Sequence, residues 1–117
     1  VTIRVKRVYD DPSPNDGRRV LVDRYWPRGL SREAAALDAW ERDLAPTPDV
    51  IRDFGHRPER WAAFRDAYRA QLAAQPPEHL RALAQGAVNS TLTLLFAARD
   101  PEHNNAQVLA EYLGDLP

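Results

Sequence analysis

Two polar clusters in this chain combine residue types that can do chemistry. The first is Asp23-Arg24-Tyr25-Trp26-Pro27-Arg28-Gly29, which follows the apolar run Val20-Leu21-Val22. The second is Arg99-Asp100-Pro101-Glu102-His103-Asn104-Asn105, which follows the apolar stretch ending in Phe96-Ala97-Ala98. Asp23 comes directly after core-type residues, so its carboxyl group is expected to be partly buried and to need partners; Arg24, Arg28 and Arg99 are the candidates. Two roles are open to it, general acid or base and ion-pair anchor. Burial would raise its pKa and adjacent guanidinium groups would lower it, so both directions are open. Arg28, next to Gly29 in a loop, suits a phosphate or carboxylate through a two-pronged contact. Its alternative is an ion pair with Asp23 or Asp38. Trp26 could stack on a planar base or simply pack across its own loop.

The second cluster reads as the start of a helix, where unpaired N–H groups favour an anion by about 0.3–1 kcal/mol. His103 is a candidate acid or base there, with Arg99 beside it. The Asn104 and Asn105 amides can hydrogen-bond a nucleobase, a sugar or a carboxamide. Asp100 as a helix cap, with Pro101 at the first helical position, explains the same turn without a ligand. His56, after Phe54-Gly55, stands in a loop as either a site residue or a solvated one, and His79 is expected on the surface. The three histidines show no HxH or HExxH spacing, so no metal site is expected. The absence of GxGxxG, GxxxxGK[ST] and GxSxG removes support for dinucleotide, P-loop and hydrolase-elbow chemistry. The chain has no cysteine, which excludes a thiol nucleophile, a redox pair, a zinc ribbon and disulfides. No cofactor is implied.

Strands and helices must bring these clusters together. Ile3, Val5 and Val8 alternate with Arg4 and Lys6, a half-buried strand over 2–8. Asp11 to Gly17 is dense in turn formers. Arg19 to Asp23 reads as a central strand, and Thr91 to Ala97 as a strand covered on both faces. Ser31 caps a short helix. Leu37 to Leu44 fits either a helix or a strand. Thr47-Pro48 opens a helix that Gly55 stops. Trp61, Phe64, Tyr68 and Leu72 form one stripe of a helix over 58–74. Pro77 to Gln85 is a further helix with Leu80 and Leu83 inward and Gly86 as its cap, and the tail 114–117 is expected to fray. Strands joined through helices argue for an α/β fold with a small, mainly parallel sheet flanked by helices. In such sheets ligands sit beyond the carboxyl ends of the strands, so parallel strands would bring both clusters to one rim.

With 117 residues, residues 1–117 are expected to form a single domain able to bury a core without metal or disulfide staples. Hydrophobic residues at 44% and charged residues at 28% fit a globular chain and exclude a fibrous or wholly disordered one. No apolar stretch is long enough to span a membrane. Arg4, Lys6 and Arg7 occur without the apolar block of a signal peptide, and a cytoplasmic location is expected. The net charge is −1, split as +4 over residues 1–32 and −5 over the remainder, so only a local patch could attract nucleic acid.

The motifs also resemble a known family. Lys6-Arg7-Val8-Tyr9, Asp16 to Arg24, Trp26-Pro27-Arg28-Gly29-Leu30-Ser31, Asp38-Ala39-Trp40, Phe54-Gly55-His56, Pro58-Glu59-Arg60-Trp61 and His103-Asn104-Asn105-Ala106 are similar to the DUF488 family, in its short YeaO-like branch. The resemblance covers nearly the whole chain. It implies a small bacterial cytoplasmic α/β domain, and no particular reaction. Tyr25, Arg57 and Gln71 depart from the family pattern, which weakens any catalytic role for position 71. Other branches carry a cysteine near the last strand, and no thiol mechanism transfers to this chain.

Three functional readings follow. The first is a domain binding a small anionic or nucleotide-like ligand at the rim through Asp23, Arg24, Trp26, Arg28, His56, Asn104 and Asn105. It could extend to metal-independent acid/base hydrolysis or group transfer by Asp23, His103 and Arg99. The second is a nucleic-acid-binding or regulatory module with a patch of Arg4, Lys6, Arg18, Arg19 and Arg28. The third is a protein-interaction domain with an apolar patch at Trp40 or Tyr25.

Overall fold

The computed structural model describes residues 2–116. Four strands, β1 (Thr2–Arg7), β2 (Arg18–Leu21), β3 (Ala39–Trp40) and β4 (Thr91–Phe96), form one sheet in the order β1-β4-β2-β3, and every pair is parallel. The expected α/β architecture is therefore present. β4 lies inside the sheet because four of its six residues are apolar and its buried side chains, Thr93 among them, fill both faces. Leu92, Leu94 and Phe96 join the larger core with Val20 and Val22, while Leu95 joins Val8, Leu21 and Ala35 on the opposite face. That division is the two-residue period of a strand.

The helices are α1 (Arg32–Ala35), α2 (Pro48–Phe54), α3 (Trp61–Ala74), α4 (Pro77–Gln85) and α5 (Asn105–Gly114). Ser31 caps α1 as its type predicts, with its hydroxyl accepting from the Ala34 N–H at 3.1 Å. Gly55 ends α2 at φ +54°, in the left-handed region. The stripe on α3 buries Phe64, Tyr68 and Leu72 and half-buries Trp61. Full burial of such a side chain contributes about 1.5–3 kcal/mol. Leu80 and Leu83 of α4 are buried as expected, and Gly86 caps that helix in an ordinary right-handed conformation.

Three expectations are corrected. Residues 37–44 are neither one helix nor one strand: they hold the two-residue β3 and a 3-10 turn at Arg42–Leu44. Trp40 pairs with Leu21 across the sheet edge, and the Tyr68 hydroxyl donates to the Leu44 carbonyl at 2.7 Å, so tertiary contacts rather than local pattern decide this segment. The final helix does not begin at Asp100-Pro101. Asp100 accepts from the Glu102 and His103 N–H groups in a tight turn, and Asn104 is the cap, accepting from Gln107 N–H at 3.0 Å. Asn104 is almost fully buried, so its amide satisfies a helix end that Asp100 sits too far back to reach. Of the tail, Gly114 is the last residue of α5, and Pro117 lies outside the described residues.

The start of β2 is fixed by charge. Asp16 is buried and receives Arg19 Nη1 at 2.5 Å and Lys6 Nζ at 3.1 Å. Gly17 follows at φ +62°, and a Cβ there would lie 2.2 Å from the Thr91 carbonyl oxygen. Only glycine lets β2 start this close to β4.

Candidate functional site

β1, β2 and β4 run in the same direction, so their carboxyl ends share one rim. β2 leads onward to β3, whereas β4 leads to α5, which packs back against β1 and β4. The chain thus departs in opposite directions from neighbouring strands, the arrangement that opens a crevice in parallel sheets. A cavity of about 490 Å³ lies there. Its walls include Asp23, Tyr25 and Arg28 after β2, and Ala97, Ala98, His103 and Asn105 after β4. The two polar clusters do meet, as parallel strands require.

Asp23 is half-buried on this wall, and its Oδ2 accepts from the Ala97 N–H at 3.0 Å across 74 residues of chain. The expected arginine partners are absent: among the described residues no guanidinium or ammonium group pairs with Asp23. Burial pushes its carboxyl group above the ordinary carboxylate range, against smaller opposing effects of the Ala97 N–H, the Asn105 amide and the charge of His56. The Asn105 amide itself donates to the Val22 carbonyl at 2.8 Å, tying α5 to the end of β2. Below the site the buried Tyr68 phenol is pushed upward, first by burial and then by the Asp23 charge.

The arginines divide by role. Arg24 donates through Nε to Pro46 O at 2.8 Å and through Nη2 to Ala45 O at 3.1 Å, so it ties the rim to the segment before α2. Arg28 is exposed at the outer wall, and its backbone carbonyl accepts from the Tyr9 hydroxyl at 2.8 Å. It pairs with neither Asp23 nor Asp38; Asp38 accepts instead from the Arg19 backbone N–H at 2.7 Å. Arg99 is exposed and outside the cavity wall, because the chain turns outward as β4 ends. Trp26 donates to Leu30 O at 2.7 Å, meets Trp40 edge-to-face at 5.5 Å and carries Arg32 over its ring. Those contacts hold its loop, although the residue also borders the cavity.

His103 bonds through Nδ1 to Asp100 Oδ2 at 2.9 Å and meets Trp61 edge-on at 5.1 Å. Asp100 is held below the ordinary carboxylate range by the Glu102 N–H and by His103. Asn104 both caps α5 and donates to Asp100 O at 3.0 Å, which occupies its amide structurally. His56 reaches the cavity from the α2–α3 turn at φ +57°, a region in which histidine is tolerated better than branched residues. Sequence patterns did not point to Tyr9, Ile51, Phe54 and Phe64, which also line the cavity. Phe54 and Phe64 stack at 4.6 Å and belong to the core as much as to the cavity, so their apolar spacing signals only packing. Gln71 lies away from the cavity and donates through Nε2 to the Thr47 hydroxyl at 2.6 Å.

The basic patch proposed for nucleic acid is broken up: Arg19 is buried on Asp16, Lys6 is bridged to the same carboxylate, and Arg4 donates to Asn15 O. Trp40, a candidate for an apolar docking patch, is half-buried and donates to Asp23 O at 2.7 Å, while Tyr25 is 59% exposed. Among the described residues no three His, Asp or Glu side chains converge to hold a metal ion, and no helix is long and apolar enough to cross a membrane.

A family model described as the "Inactive DUF488-N3 subclade" matches residues 2–116. The chain belongs to the DUF488 family. Among its relatives, the uncharacterized protein YeaO of Escherichia coli strain K12 is 40% identical over 116 residues, covering 99% of this chain and 100% of that one. An uncharacterized protein of Mycobacterium tuberculosis strain H37Rv and one of Mycobacterium bovis are each 36% identical over 111 residues, covering 95% of this chain and 92% of theirs. No solved structure matches the chain significantly. In this DUF488 domain Trp26, Pro27 and Arg28 meet His103, Asn104 and Asn105 at the rim.

Proposed function

We propose that this DUF488 domain binds a small anionic, nucleotide-like ligand at the carboxyl-end rim of its sheet. The observation that supports the reading is a cavity of about 490 Å³ shared by segments 23–28 and 97–105. That size falls within the roughly 300–1,000 Å³ usual for small-molecule sites. Phe54, Phe64 and Tyr25 offer apolar and aromatic surface for a planar body, and exposed Arg28 offers a fork for a phosphate or carboxylate. The test is a thermal-shift screen of 5′-mononucleotides against wild type and Arg28→Ala. A ligand at ten times its Kd stabilises by about 1.4 kcal/mol, or about 6 °C for a chain of this size. The variant should lose that shift while its unliganded Tm stays unchanged. A retained shift, or an unfolded variant, overturns the assignment of Arg28.

A second reading is metal-independent acid/base hydrolysis or group transfer, with His103 as base and Asp23 as acid. The His103–Asp100 bond favours it, because it fixes the imidazole orientation. The description of the matching subclade as inactive counts against it. Chromatographic assay of nucleotide turnover separates the two: product lost in His103→Gln supports catalysis, and no product in wild type leaves binding alone.

A further inference from the structure

The cavity has an unequal distribution of charge from inside to outside, and this bears on which way round a ligand would lie. On the inner wall the half-buried Asp23 carboxyl group has no cationic partner among the described residues. Its Oδ2 takes the Ala97 N–H at 3.0 Å, and the Asn105 amide stands beside it. A carboxylate has about four acceptor sites, so capacity remains on the cavity side. Arg24, the nearest arginine in sequence, is held on the Ala45 and Pro46 carbonyls. His56 stands beyond ion-pair distance. On the outer wall Arg28 is exposed and makes no ion pair among the described residues. An acceptor-only group thus waits inside and a donor-only group outside.

We infer that Asp23 receives a head bearing adjacent N–H donors, such as the amidine-like edge of an aminopyrimidinone ring, while Arg28 receives the anionic tail of the same molecule. This deepens the proposed function and rests on the rim being a ligand site. A carboxylate facing two parallel N–H groups forms the paired, charge-assisted contact that is among the strongest neutral-pH recognition devices. An acceptor edge placed there would face lone pairs with lone pairs, and an anionic head would add repulsion in a partly desolvated site. The stacked Phe54 and Phe64 rings give such a head an apolar floor. The molecule enters donor edge first.

The test is calorimetric titration with guanosine 5′-monophosphate and inosine 5′-monophosphate, which differ only in the 2-amino donor. Wild type should bind the guanosine nucleotide about tenfold more tightly or better, the worth of one charge-assisted bond. Asp23→Asn should reduce that preference to within about twofold, weakening guanosine 5′-monophosphate more than inosine 5′-monophosphate, which offers the carboxylate only its ring N–H. Arg28→Ala should weaken both nucleotides equally and leave the nucleoside guanosine unaffected. Equal affinity of wild type for the two nucleotides, or a preference that survives in Asp23→Asn, overturns the donor-head inference and leaves the ligand site standing. Binding of neither nucleotide overturns both. The wild-type ratio alone decides the matter if Asp23→Asn fails to fold.

Discussion

Arg24 lies within the most polar segment of the chain, yet its guanidinium group is engaged with protein rather than free for a ligand. It donates to the carbonyls of Ala45 and Pro46, both buried, and so holds the segment before α2 against the end of β2. Arg24→Ala leaves two buried carbonyls without donors. Each orphaned acceptor costs about 1–3 kcal/mol, so the pair is worth about 2–6 kcal/mol. Unfolding entropy of about 2.1 cal/mol/K per residue gives a chain of this length about 0.25 kcal/mol per degree, hence a Tm lower by about 8–24 °C. Arg24→Lys keeps the charge but not the fork, and about half the loss should remain. The assay is thermal unfolding followed by circular dichroism, with Arg28→Ala as the contrast, expected within about 2 °C of wild type because exposed substitutions seldom exceed about 0.5 kcal/mol. An Arg24→Ala variant that melts with wild type would refute the structural assignment and return Arg24 to the ligand-binding set.

Other outcomes follow from the same geometry. The folded-state pKa of Asp23 is raised, so its ionised form costs stability: there is no penalty below the ordinary carboxylate range, and it grows as pH rises through the folded value. Asp23→Asn should therefore melt higher than wild type at pH 7, and the difference should shrink toward zero near pH ~3 in paired melts. Asp16 has the opposite sign. Burial alone would raise its pKa, but the Ser13 N–H, Lys6 and Arg19 outweigh it, so its contribution is present at neutral pH and is lost as pH falls below the ordinary carboxylate range. Asp16→Ala strands Arg19 in the interior and should cost about 3–5 kcal/mol by denaturant titration at pH 7, with a smaller deficit in acid. Asn104→Ala removes the cap of α5 and should cost about 0.5–2 kcal/mol in the same titration.

The parallel sheet was legible because β1 alternates apolar Ile3 and Val5 with Arg4 and Lys6, and β4 runs into the apolar stretch Leu94-Leu95-Phe96. Once parallel strands are expected, the meeting of residues 23–28 with 97–105 follows from topology alone. The partners within the site were less legible. An arginine side chain reaches far enough that Arg24 prefers carbonyls 21 and 22 residues away to its neighbour Asp23. Asp23 instead finds a backbone N–H 74 residues on, which no residue type announces. Asp100-Pro101 carries a helix-start signal, but Asn104 supplies an equivalent cap closer to the buried turn, and the later start wins. The Phe54–Phe64 wall was hidden because a core aromatic and a cavity aromatic have the same spacing.

The central claim is that the rim cavity is a ligand site, and amide chemical-shift mapping of the isotope-labelled chain with guanosine 5′-monophosphate tests it most directly. The account predicts saturable shifts centred on the rim, at Asp23, Tyr25, Arg28, Ala97, His103 and Asn105. Shifts centred on Arg4 of β1 and Arg18 at the start of β2, or no shifts at millimolar nucleotide, would contradict it.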